Sequence, residues 1–293
     1  MPDPIATTRS GERGAPAVPL RSLILTVLGA YIRRLDGWIS IAALIRLMGE
    51  LGVDEQSVRS AVSRLKRRGI VVPERREGTA GYTMSADGLR LFEAGDARIY
   101  GRPRAARLQD GWVVAVFSVP DARRRDRHVL RSRLVWLGYG NLAPAVWIAP
   151  AHVTEETTDT LLRLGLDRYV HVFRARYEAF GTVPELVRQS WDLDALRRQY
   201  AQFHATVAPV VRRAGRTGTR AGRGAFVDHV TVLGAWRPLP FLDPGLPVEA
   251  LPPDWPGTRA WEVFHELVGT LEPVAIGYVR EIARQPTPQG TSV

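Results

Sequence analysis

The 293-residue chain contains no cysteine. Disulfides, thiolate metal sites and cysteine nucleophiles are thereby excluded, and a reducing cytoplasm suits such a chain. Lysine is nearly absent too: of the 40 basic residues only Lys66 is a lysine. An arginine excess spread over the whole chain is weak evidence for any one partner. Long apolar runs are also missing. The first, Leu23 to Leu28, is far too short to span a bilayer, and the stretch before it, rich in Pro, Gly and Arg, has no secretory apolar region, so no membrane partner is expected. The six histidines, His128, His152, His171, His204, His229 and His265, lack metal spacing, and neither a His-Glu-x-x-His motif nor a nucleophile elbow occurs. No catalytic residue, metal or cofactor is predicted.

What is present is positive charge on an ordinary globular composition. A net charge of +10 and a pI near 10.6 favour contact with a polyanion. The length suggests two or three domains. Residues 1–19 read as a disordered leader and 285–293 as a disordered tail.

The most informative stretch is Val53 to Gly69. Asp54 is a good N-cap, Glu55 adds negative charge to the first turn, Lys66, Arg67 and Arg68 sit in the last, and Gly69 supplies the stop. Val58, Ala61, Val62 and Leu65 make one apolar stripe. The opposite face, with Gln56, Ser57, Arg59, Ser60, Ser63, Arg64, Lys66 and Arg67, is small, hydroxylic and cationic. Such a face enters a DNA groove: serines allow close approach, Gln and Arg bond base edges, and flanking cations bond phosphates.

Its neighbours fit that reading. Leu20 to Arg33 reads as an amphipathic helix with Leu23, Val27, Ala30 and Tyr31 inward, and Ser40 caps a second helix running to Leu51. Two short strands, Ile70 to Val72 and Tyr82 to Met84, flank a turn bearing Arg75 and Arg76. Ser85 caps a fourth helix to Tyr100, with Leu89, Phe92, Ala97 and Tyr100 available for a core. Helix, helix, short turn, helix, wing is a winged helix-turn-helix, here residues 20–100.

After a linker at 101–110, residues 111–178 read as βαββαβ, a ferredoxin-like order. Its first helix carries Arg123, Arg124, Arg125, Arg127, Arg131 and Arg133, a solvated face or a second DNA contact. Residues 184–284 read as helical, with a flexible loop at 212–224 that lacks phosphate-loop spacing. The last helix, with Trp261, Phe264, Leu267, Val268, Leu271, Val274 and Ile276, has apolar surface for a dimer or for an intrachain core. The fold class is therefore α+β.

With these parts placed, the chain resembles the PaaX-type phenylacetate-degradation repressors. The resemblance rests on DEQSVRSAVSRLKRRGIV, LVWLGYGNLAPAVWIAP and FLDPGLPVEALPPDWPG and covers about Leu20 to Ile282. It implies a cytoplasmic, homodimeric transcriptional regulator, usually a repressor, on palindromic double-stranded operator DNA, released by an acyl-CoA, phenylacetyl-CoA in the type members. The middle domain resembles small CRISPR-associated nucleases, but Ser118 stands where they carry a metal-binding Asp, which argues against nuclease chemistry. His229 and Gly234 stand where related sequences tend to have Arg and His, so a different small-molecule effector is open. Trp147, Trp191 and Trp236 are candidates to stack on an aromatic acyl group or adenine, His229 lies on the helix expected to line the pocket, and Arg237 is a candidate phosphate or carboxylate partner. The alternative is an enzyme recruited onto the same scaffold.

Overall fold

The structure, a computed structural model, describes residues 19–102, 106–178, 180–214 and 222–285. The expected leader, most of the tail, part of the linker and the centre of the 212–224 loop lie outside them. The ends of that loop do not: Arg212–Ala214 and Gly222–Gly224 are helical.

The head comprises α1 (Leu20–Ala30), β1 (Trp38–Ser40), α2 (Ile41–Gly49), α3 (Glu55–Arg67), β2 (Val71–Arg76), β3 (Thr79–Met84) and α4 (Ala86–Ile99). Side chains cap three of these helices: Ser40 accepts from Ala43 N, Asp54 from Ser57 N and Ser85 from Gly88 N. Gly69, at φ +71°, turns the chain out of α3. The wing departs from expectation in two ways. Its strands run six residues each and meet in a two-residue turn, Glu77 and Gly78, both at positive φ. Residues expected to form a turn, Thr79 to Gly81, belong to β3. A third strand, β1, completes the antiparallel sheet in the order β1-β3-β2. In α4 the expected Ala97 is exposed and Ile99 is buried instead.

The central domain holds β4 (Trp112–Phe117), α5 (Arg124–Trp136), β5 (Gly140–Ala143), β6 (Val146–Pro150), α6 (Thr154–Leu164) and β7 (Val170–Ala175). Its antiparallel sheet has the order β5-β6-β4-β7, the ferredoxin-like arrangement. Alternation along the strands separates two cores. Val113, Ala115, Phe117 and Ala149 meet Leu130, Leu134 and Leu161 on one face; Trp112 and Ile148 meet Leu186, Val187 and Leu246 on the other.

The remaining helices are α7 (Val183–Ser190), α8 (Leu193–Ala214), α9 (Gly222–Trp236), α10 (Leu239–Leu242) and α11 (Gly257–Arg284). Head and C-terminal helices do not keep separate cores: Ile24, Tyr31, Leu44 and Leu47 join Phe226, Trp236 and Phe264 in one cluster. The buried residues of α11 (Phe264, Leu267, Val268, Leu271, Ala275, Val279) lie in that same intrachain cluster, with Trp261, Val274 and Ile276 packed half-buried against it. This is the intrachain alternative for that surface, because α9, α8 and α2 lie against it.

Candidate nucleic-acid interface

Helix α3 buries Val58, Ala61, Val62 and Leu65 and thereby turns the rest of its surface outward. Gln56, Arg59, Ser60, Ser63, Arg64, Lys66 and Arg67 are exposed and Ser57 is half-buried. Both ends are electrostatically ordered. Asp54, held below the usual carboxylate range by its hydrogen bonds to Ser57, sits at the positive end of the helix, and four cations close the negative end. Arg59 bonds Glu55 one turn back, at 2.7 Å, with both side chains more than half exposed. Such a surface pair is worth little and can be exchanged for a base.

The wing divides its two arginines. Arg75 is exposed and donates to Gly78 O at 3.0 Å, across the turn. Arg76 donates to Glu74 at 2.9 Å and lies over the Trp38 ring, 5.4 Å from its centroid. It braces the third strand against the wing. Sequence reasoning left out Arg68, the exposed C-cap residue of α3, and Arg21 on α1, close enough for their charges to repel. The signal for Arg68 was present in the run Lys66-Arg67-Arg68; that for Arg21 was not, since only folding brings α1 beside α3. Arg123, just before α5, is exposed, as are Arg124, Arg125 and Arg131 on it, while Arg133 is half-buried and Arg127 is engaged with Val119 O and Asp121.

The five aromatic, histidine and arginine residues expected to share an effector pocket are not brought together. Trp147 lies in the helix-side core of the central sheet. Trp191 packs near Trp112 on the other face and donates to Gly138 O at 3.0 Å. His229, Trp236 and Arg237 alone share a place, the seam between head and C-terminal helices. There the Tyr31 hydroxyl is 2.5 Å from His229 Nδ1, Trp236 donates to Ile99 O at 2.8 Å, and Arg237 donates to Thr26 Oγ1 at 2.7 Å and Ser22 O at 3.2 Å. Burial, with the Arg34 charge nearby, pushes the His229 imidazole down to about 4, and its Nε2 is buried with no hydrogen-bond partner. Burial also lowers the Arg237 guanidinium. A cleft of about 310 Å³ lies elsewhere, lined by Leu108, Trp112, Arg176, Tyr177 and Val183 among others. Among the described residues no cluster of three or more His, Asp or Glu suits a metal, and Ser118 is exposed just beyond β4.

Three family models match in succession: PaaX-like protein over residues 19–88, PaaX protein central Cas2-like domain over 105–187, and PaaX-like protein C-terminal domain over 191–281. The chain belongs to the PaaX family. Among PaaX proteins it is 26% identical, over 279 residues, to the transcriptional repressor PaaX of Escherichia coli (strain K12), covering 92% of this chain and 86% of that one. Its fold is similar to that of the uncharacterized protein Rv0674 from Mycobacterium tuberculosis, with a TM-score of 0.61, 24% identity, and coverage of 90% of this chain and 100% of that one. The three family models together, like the match to the Escherichia coli repressor, run through head, central domain and C-terminal helices.

Proposed function

We propose that the chain is a DNA-binding transcriptional repressor that acts as a homodimer on a palindromic operator in the cytoplasm and is released by an acyl-CoA or a related aromatic small molecule. The observation that carries this is the outward face of α3, capped by an acid at one end and by exposed cations at the other, in a chain of a family with a curated repressor. In this reading Gln56, Ser57, Arg59, Ser60 and Ser63 face base edges in the major groove. Arg64, Lys66, Arg67 and Arg75 contact phosphates. Arg76 contributes mainly by holding the wing, because a phosphate contact would take it from Glu74 and Trp38. A symmetric pair of heads would set two α3 helices about one DNA turn apart, roughly 34 Å, or a multiple of it. Family membership supports a regulator rather than an enzyme. Among the described residues no helix is long and apolar enough to cross a membrane.

Release follows from linkage: an effector that prefers the form unable to bind DNA shifts the population by its differential affinity alone. We place its action at the seam of Tyr31, His229, Trp236 and Arg237, because a change there moves the head against the C-terminal helices. Trp147, buried in the central core, and Trp191, half-buried against the opposite face of that sheet, are left out of that site. The test is retention of labelled DNA from upstream of the protein's own gene against random DNA, near physiological salt, without and with phenylacetyl-CoA and other acyl-CoAs. Specific retention abolished by an acyl-CoA is expected. Equal retention of both DNAs would refute the repressor reading, and specific retention that no acyl-CoA alters would refute the effector class.

A further inference from the structure

Head, central domain and C-terminal helices converge on one side chain. Arg98, in the last turn of α4, extends out of the head with its side chain 23% exposed. Its guanidinium carbon lies 5.1 Å from the centroid of Trp136, at the end of α5, and 5.0 Å from that of Phe241, in α10. Those two rings are themselves 6.3 Å apart, so cation and rings form a triangle. Arg98 Nε donates to Pro240 O at 2.9 Å, Nη2 to Trp136 O at 3.5 Å, and Nη1 stands 3.8 Å from a Glu156 carboxylate oxygen on α6. One planar group thus meets α5, α6 and α10 at once, which a lysine ammonium with its single charged atom cannot do.

The platform that receives it is held from behind. Asp243, just past α10, accepts from Tyr200 Oη on α8 at 2.5 Å and from Gly245 N at 2.8 Å. Gly245 O in turn accepts from Ala106 N of the linker at 3.0 Å. Pro244 packs on Gly138, at φ +91°, so closely that a Cβ there would lie 3.1 Å from it. These contacts tie the segment that follows Pro240 and Phe241 to α8, the linker and Gly138 without help from Arg98.

We infer that Arg98 is a positioning residue: it sets the orientation of the DNA-reading head on the central domain. Given the dimeric repressor reading, on which this second step rests, it also sets the spacing at which two α3 helices meet operator half-sites. Head and C-terminal helices share one close-packed core and directional bonds, Trp236 to Ile99 O and Arg237 to Thr26 among them, so what Arg98 sets is the angle of the central domain against them, its planar guanidinium meeting the Trp136 and Phe241 rings and the Pro240 carbonyl in one geometry.

The absence of cysteine makes the test direct. Spin labels on Glu77→Cys at the wing tip and Leu162→Cys on the exposed face of α6 report head against central domain; labels on Glu77→Cys and Glu93→Cys report the head alone. In Arg98→Ala the distance distribution between head and central domain is expected to about double in width, because a contact joining those two parts is lost, while the head-only distribution stays as in the parent. Arg98→Lys is expected to broaden it as well. If both distributions stay unchanged, Arg98 does not position the head and the inference is overturned. If both broaden, Arg98 holds the head itself together, which also overturns it. Should Arg98→Ala not fold, Phe241→Leu removes a ring from the other side of the contact and is expected to give the same selective broadening. On DNA whose half-site spacing is stepped by single base pairs, Arg98→Ala is expected to lose about fivefold of the parent's preference for its best spacing, with affinity for one half-site kept. A parent protein with no preference for any operator would refute the repressor reading, and the distance distributions would still decide on Arg98.

Discussion

The buried His229 carries a stability cost that depends on pH in a calculable way. Its imidazole is fully enclosed, hydrogen-bonded to Tyr31 through Nδ1, and held down to about 4 by burial and by Arg34. Tyr31 follows the end of α1, and Arg34, Tyr100 at the end of α4 and Glu272 on α11 surround the pair. In the unfolded chain a histidine titrates near 6.5, so between that value and about 4 the unfolded state binds the extra proton. Stability is therefore complete above about pH 6.5 and is lost as pH falls toward 4. The shift corresponds to about 3 kcal/mol in full, and about 2 kcal/mol of it should be gone at pH 5. Urea unfolding of the parent and of His229→Gln, followed by tryptophan fluorescence at pH 7.5 and pH 5, isolates this contribution because every other group titrates in both proteins. The parent should lose about 2 kcal/mol more than the variant over that interval. A parent-minus-variant difference that does not change with pH would show that the His229 imidazole titrates in the folded chain as it does in the unfolded one, that is, solvated, and would refute the buried seam.

Three further outcomes concern the DNA-reading head. Arg59→Ala should reduce discrimination between operator and mismatched DNA by about 1–3 kcal/mol while leaving random-DNA binding nearly unchanged; equal losses on both would assign Arg59 to the backbone. Replacing Arg67 by Ala should weaken binding to all sequences alike and lower the slope of log affinity against log salt by about 1, measured by fluorescence anisotropy across a salt series; a sequence-selective loss with the slope unchanged would place Arg67 on a base. Gly81→Ala should disrupt the wing, because its Cβ would come 2.5 Å from Ile39 O and 2.6 Å from the Trp38 ring. The expected cost is about 1–3 kcal/mol, with reduced DNA affinity but an intact C-terminal core by hydrogen exchange; a wing protected as in the parent would count against the packing described.

Much of the fold is readable along the chain because its signals are local. The caps Ser40, Asp54 and Ser85 and the stop at Gly69 mark helix ends through hydrogen bonds made within a few residues. Helical and strand periodicity likewise place α3 and the βαββαβ order, since each element must turn its apolar side to one core. Strand β1 escapes such reading: three residues are too few for a period, and Trp38 to Ser40 are a strand only because β3 lies beside them. The same holds for α10, four residues long.

The proposed sites divide along the same line. The outward chemistry of α3 is written into the chain locally, because cap, apolar stripe and terminal cations all lie within one helix and folding only has to bury Val58, Ala61, Val62 and Leu65. The fate of His229, Trp236 and Arg237 rests instead on long-range packing, since their partners Tyr31, Ile99, Ser22 and Thr26 are far removed in sequence. That packing alone separated Trp147 and Trp191 from them, and it alone gathered Trp136, Glu156, Pro240 and Phe241 around Arg98. Spacing along a helix fixes which residues share a face, but contacts between elements depend on how those faces pack, and no local pattern encodes that.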